Sequence, residues 1–279
     1  MSNDTKTTHH YYTHEKSHFK ELDLYIPSSA TEKSPLLVFI HGGAWRSEDK
    51  ADHAPLAQAL VAHGFPVALI NYRLSLYKDD EKDKHIQPQV QHPMHIQDSK
   101  EAIDYLIYQQ HRMFPENESY PYDPSNVYLI GHSAGAHIAM MLTLDPAYYG
   151  GNKEEERKLV SGVIGAQGIY DLNLLFQKFP NYDFVPQAFG TDISRYVDAS
   201  PVSKQPTITT DQLPEMLVVH SLDDTLVDIG QAETMMDHLK NNIHVPHVLL
   251  ETTRVKGDHY DMLYSKEFID SIVEFVNNK

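Results

Sequence analysis

The sequence predicts an α/β fold: a mostly parallel central sheet with helices on both of its faces. Three observations carry this. Short, continuous runs of β-favouring apolar residues recur along the chain, segments with helical spacing separate them, and one strand-to-helix boundary holds Gly131-His132-Ser133-Ala134-Gly135. Continuous apolar runs suit strands buried on both faces of a parallel sheet, and their alternation with helices implies βαβ units.

Residues 1–18 are polar and are expected to be a frayed, flexible segment before a single domain spanning 19–279. FKELDLYIP (19–27) alternates and is followed by a Ser/Thr/Pro turn and then PLLVFI (35–40). Further strand-like runs are PVALINYRL (66–74), NVYLI (126–130), VSGVIGAQGIY (160–170), EMLVVHS (215–221) and HVLLETTRV (247–255). Helical spacing marks 53–64, 98–113, 134–144, 230–240 and 266–278, with Gly64 placed as the residue that ends the first and Asp98 as an N-cap. Two stretches break the alternation. Residues 78–93 are charged and then proline-bearing, which reads as a solvated loop, and the aromatic segment 172–190 reads as a helical excursion or cap over the site, extending to about residue 200.

The chain has 279 residues, 41% of them hydrophobic, and no apolar run approaching the roughly 18 residues of a membrane span. A formal net charge of −16 argues against a nucleic acid or an anionic membrane as partner, each of which calls for a basic patch. The absence of cysteine excludes disulfides, a thiol nucleophile and a thiolate metal site, and fits a reducing compartment. With an N-terminus unlike a signal or transit peptide, the expected location is cytoplasmic, so the sequon at Asn117 is expected to go unmodified. Among 18 histidines, His14 with His18 and His92 with His95 lie close in sequence. Neither pair sits in a recognisable ligand pattern, and no metal or cofactor is expected.

Ser133 falls where a strand hands over to a helix, at the end of the sheet where ligand crevices form. A sharp turn there strains the serine backbone, requires Gly131 and Gly135 for close approach, and aims the helix N-terminus at the site. A serine nucleophile needs a base held by a carboxylate, in chain order Ser, Asp or Glu, His. His259 is the only histidine after the final strand, and Asp223 or Asp224 supplies the acid just past a late one. The expected set is Ser133 as nucleophile, His259 as base and then acid, and Asp224 as orienting carboxylate, with Asp223 as a turn residue. Oxyanion donors are expected from the Ala134 N–H and from the loop after PLLVFI, Gly43 first and Gly42 and Ala44 beside it. His41, His132 and His137 are expected to brace these loops, and Arg73 to form ion pairs near the sheet. Trp45, Tyr170, Phe176, Tyr182 and Phe184 either border an aromatic substrate or pack.

HGGAW (41–45), NYRLS (71–75), GHSAGAH (131–137), GIYDL (168–172), HSLDDTLV (220–227) and GDHYD (257–261) together resemble the α/β-hydrolase superfamily. Within it they are similar to the kynurenine formamidases (arylformamidases), the fungal ones in particular, which carry HGGxW where many lipases have HGGG. The resemblance runs from about residue 20 onward and implies Asp224 as the acid, four residues after the histidine of the HSxxD pattern. It implies an α/β-hydrolase fold and hydrolysis of a small-molecule substrate, N-formyl-L-kynurenine or a similar aryl formamide, through a formyl-serine. A carboxylesterase for short acyl esters using the same residues, and a non-catalytic binding module, are the alternatives.

Overall fold

The computed structural model describes residues 4–11, 16–77, 87–115, 120–149 and 160–278. Its centre is an eight-stranded sheet: β1 (Thr5–His10), β2 (Glu21–Ile26), β3 (Pro35–Ile40), β4 (Val67–Ile70), β5 (Asp123–His132), β6 (Val160–Ala166), β7 (Glu215–Val219) and β8 (Val248–Glu251). The spatial order is β1-β2-β4-β3-β5-β6-β7-β8. β1 and β2 run antiparallel to their neighbours and every other pairing is parallel.

The helices are α1 (Ala54–Ala62), α2 (Met94–Tyr108), α3 (Gln110–Met113), α4 (Ala134–Leu144), α5 (Pro146–Tyr149), α6 (Leu172–Lys178), α7 (Phe184–Phe189), α8 (Gly230–Asp237) and α9 (Lys266–Asn277). They cover both faces, because successive strand side chains point to opposite sides. Leu36, Val38 and Ile40 of β3 join Val127 and Leu129 of β5 in a core against α2, α4 and α8. The intervening Leu37 and Phe39, with Tyr128 and Ile130, join a second core against α1 and α9. Gly64 ends α1 as expected, at φ +90°. Its N–H donates to Val61 O and that of Phe65 to Leu60 O, the paired bonds of a Schellman turn.

The structure corrects three expectations. Residues 5–10 are not frayed: they form the edge strand β1, tied by Lys6 Nζ to Asp23 Oδ2 at 2.7 Å. The run at 247–255 is not buried on both faces, since β8 is the opposite edge and leaves Leu249 and Leu250 exposed. Asp98 is no N-cap. It lies inside α2, fully buried, where Arg73 donates to both carboxylate oxygens at 2.7 Å and Lys20 pairs with it as well. The Asn117 sequon, His14 and residues 78–86 of the charged loop lie outside the described residues.

Candidate active site

Between β5 and α4 the chain turns on a single residue. Ser133 has φ 53° and ψ −116°, a region that costs an L-residue energy. A Cβ at Gly131 would lie 2.3 Å from Gly135 O, and one at Gly135 would lie 2.0 Å from Ile40 O. Both clashes are with backbone, so the turn closes only with glycine at these positions. It places Ser133 directly before the first turn of α4, where unpaired amides favour negative charge.

The loop after β3 is equally constrained. Gly43, Ala44, Trp45 and Glu48 all have positive φ. Gly43 O accepts the N–H groups of Arg46 and Ser47 at 3.0 and 2.9 Å, and a Cβ at Gly43 would sit 2.1 Å from Ser47 O. Tyr72 Oη donates to His41 O and Gly42 O, which holds the loop from beneath. Glu48 Oε2 accepts the Gly42 N–H at 3.2 Å and the ring of His53 at 2.9 Å. Burial opposes ionisation of the Glu48 carboxyl, but the His53 hydrogen bond leads the interactions that hold it down at about 2. Gly42 is therefore corrected: Glu48 engages its N–H. Gly43 and Ala44 instead line a cavity of about 380 Å3 together with Ser133 and His259.

His259 and Asp224 come from loops far apart in sequence. His259 Nδ1 lies 2.8 Å from Asp224 Oδ2, with both side chains buried. Asp224 Oδ1 accepts the N–H groups of Leu226 and Val227, so the carboxylate is fixed before it meets the ring. Asp223 has the other role: its Oδ2 accepts the Gly257 N–H at 3.1 Å and joins the two loops. Asp258 strengthens that joint by accepting from Thr225. His132 Nε2 donates to His259 O at 2.9 Å, and His137 Nε2 to Ala199 O at 2.7 Å. Burial pushes both imidazoles down to about 3, which keeps them neutral braces.

Trp45 and Tyr170 do not border the cavity, which corrects the substrate-binding role and leaves packing, the other expected role. Trp45 is fully buried, edge-on to Phe189 and His137 at 4.8 and 5.1 Å. Tyr170 is fully buried with its hydroxyl lodged against Gly165 and Gly168. The cavity's rings are those of Tyr182, Phe184 and Tyr260, and its polar wall is Arg46, Asn181 and Asp183. Tyr260 lies inside GDHYD and Arg46 directly follows HGGAW, but neither residue type by itself indicates a place in the cavity wall. Asp183 and Asn181 lie within the aromatic segment, where no motif or spacing marks a polar side chain as facing the site. Among the described residues no group of histidines and carboxylates is arranged to hold a metal ion, and no helix is long and apolar enough to cross a membrane.

A mostly parallel sheet with a strained serine at the β5–α4 turn, and a histidine–aspartate pair past later strands, defines a hydrolase of the α/β-hydrolase class. A family model described as BD-FAE matches residues 22–239, and the chain belongs to this α/β-hydrolase family. It is 32% identical to a kynurenine formamidase of Meyerozyma guilliermondii over 73% of this chain and 71% of that one. It is 29% identical to the kynurenine formamidase-like hydrolase fscH of Fusarium equiseti over 93% and 90%. Among solved structures, a truncated carbohydrate esterase from gut microbiota superimposes with a TM-score of 0.75 at 19% identity, covering 98% of this chain and 95% of that one, which shows the shared fold.

Proposed function

We propose that this hydrolase is an arylformamidase that cleaves N-formyl-L-kynurenine to L-kynurenine and formate, acting through a Ser133–His259–Asp224 triad. The observation that carries the reading is the 2.8 Å contact between His259 Nδ1 and Asp224, in a cavity whose wall also holds Ser133 and the Gly43–Ala44 loop. With Nδ1–H donated to the carboxylate, Nε2 is the free lone pair that takes the Ser133 proton. Ser133 Oγ then attacks the formyl carbon. The developing oxyanion is held by the Ala134 N–H and by N–H groups of Gly43 and Ala44, each donor lowering the barrier by about 3 kcal/mol. His259 returns its proton to the departing arylamine nitrogen, and a water deprotonated by the same ring releases formate from the formyl-serine. A formyl group needs little room at the serine, and the rings of Tyr182 and Phe184 offer an aromatic wall for the leaving group. In this reading the substrate is a small molecule, and the setting is the cytoplasm, which a cysteine-free chain fits.

The test is a comparison of kcat/KM for N-formyl-L-kynurenine and p-nitrophenyl acetate, in wild type and in Ser133→Ala. The expected result is a preference for the formamide, with turnover of both lost in the variant while the thermal melt is retained. Equal or better turnover of the ester would replace the formamidase by a general carboxylesterase. Near-wild-type activity in Ser133→Ala would remove the triad.

A further inference from the structure

The cavity carries one feature that the proposed chemistry leaves idle, a cation–anion pair in its wall. Arg46 Nη1 donates to Asp183 Oδ1 at 2.7 Å and to Gln187 Oε1 at 2.9 Å. Among the described residues lining the cavity, Arg46 is the only lysine or arginine. As a structural ion pair it has little value: the two side chains are 35% and 67% exposed, and such pairs contribute about 0–1 kcal/mol. Its construction is nevertheless careful. Gln187 is buried and its Nε2 donates to Ser75 O, which fixes the amide so that Oε1 faces the guanidinium. The guanidinium carbon lies over the Phe184 ring, 5.6 Å from its centroid. Both of these bonds leave from Nη1, so neither of them uses the Nε–Nη2 edge of the fork.

We propose that Arg46 and Asp183 form the subsite for a zwitterionic α-amino-acid head, the carboxylate resting on Arg46 and the ammonium on Asp183. This rests on the arylformamidase reading, whose substrate carries such a head at the end of an acyl side chain ortho to the scissile formamide. A zwitterion supplies each partner with the charge it already faces, so it enters without leaving either charge unpaired in the cavity. The planar fork of arginine matches a carboxylate in two parallel hydrogen bonds, which a lysine does not reproduce. In a chain of net charge −16, a local cation is also what an incoming carboxylate requires. The layout follows the substrate. Arg46 belongs to the same tight turn as Gly43, closed by its own N–H to Gly43 O at 3.0 Å, so the head anchor and the oxyanion loop form one rigid unit. The rings of Phe184 and Tyr182, with centroids 4.8 Å apart, supply the aryl wall.

The experiment has two arms, each run on wild type, Arg46→Gln and Asp183→Asn. In the first, kcat/KM is measured for N-formyl-L-kynurenine and for formanilide, which has the same scissile bond and no amino-acid head. The ratio between them is expected to fall about 30-fold in Arg46→Gln and about 10-fold in Asp183→Asn, chiefly through KM. In the second, L-kynurenine and 2-aminoacetophenone inhibit hydrolysis of p-nitrophenyl acetate. Arg46→Gln is expected to raise the inhibition constant of L-kynurenine about 30-fold relative to that of the headless ketone. An unchanged ratio in both arms overturns the subsite and leaves the formamidase reading standing. Arg46-dependent inhibition by L-kynurenine in an enzyme that does not cleave N-formyl-L-kynurenine overturns the reaction and leaves the subsite standing.

Discussion

At the scale of single residues, two adjacent aspartates separate structure from chemistry. Asp223 accepts one backbone N–H from Gly257, a bond between loops that an asparagine side-chain oxygen can also accept. Asp224 spends one oxygen on two backbone amides and presents the other to His259 Nδ1. An asparagine at 224 can keep the backbone bonds through its carbonyl, and its amide nitrogen then faces the ring. That favours the tautomer with the proton on Nε2, which has no lone pair for the serine proton. Asp224→Asn is therefore expected to lower kcat by about 10³–10⁴-fold, and Asp223→Asn by less than about 10-fold. Steady-state kinetics on one substrate, with circular dichroism to confirm folding, checks this. A larger loss at 223 would move the orienting role to the neighbouring carboxylate. His259 and Asp224 could be assigned from residue type and chain order, because a triad imposes both. Trp45 could not, since residue type says nothing of direction: in consecutive positions of one loop Trp45 turns into the core and Arg46 into the cavity.

At the scale of elements, α4 is set by its entry rather than by its own amphipathicity. Nearly every residue of it is buried, so its placement is fixed by how closely its first turn meets β3 and β5. Gly135 against Ile40 O is that contact. Its replacement by alanine must move backbone against backbone, whereas Gly190, at φ +81° with open space around it, admits a Cβ at the cost of its backbone conformation alone. Gly135→Ala is expected to lower Tm by about 10 °C and Gly190→Ala by about 3 °C. Equal shifts in thermal melts would show that β3 and α4 can separate freely. The glycine pattern made this junction legible in the sequence, as apolar runs did for β3 to β7. The edges were not legible by the same signal. β1 is polar because an edge strand needs no buried face, and it is held by side chains from another strand, Lys6 to Asp23 and Thr8 to Asp23. Asp98 looked like a cap because its partners, Arg73 and Lys20, lie at distances along the chain that no local window spans.

At the scale of the whole molecule, charge and burial make opposite predictions about acid. A chain of formal charge −16 repels itself less as the pH falls towards its pI of about 5.5, which alone would stabilise the folded state. Burial acts the other way. His41, His95, His132 and His137 are each about 1% exposed or less, and burial pushes them down to about 4, 3, 3 and 3 from the ordinary 6.5. The unfolded chain protonates them below about pH 6.5 while the folded chain does not. Unfolding therefore takes up protons in this window, and stability falls with pH until the folded values near 3–4 are reached. Four such groups give a slope of up to roughly 5 kcal/mol per pH unit, comparable to the whole stability of a typical domain. Glu48, held at about 2, adds a loss in the same direction, but only below its ordinary 4.5. Surface repulsion is screened by salt and the buried rings are not, so burial is expected to win. Tm should be level above about pH 7 and fall by roughly 8 °C per pH unit between about pH 6 and 4.5, with little change in slope on adding salt. A Tm that holds level or rises as the pH is lowered from 7 to 5 would mean that the histidines accept protons in place, and that the braces behind Ser133 and His259 are not the dry, neutral groups described above.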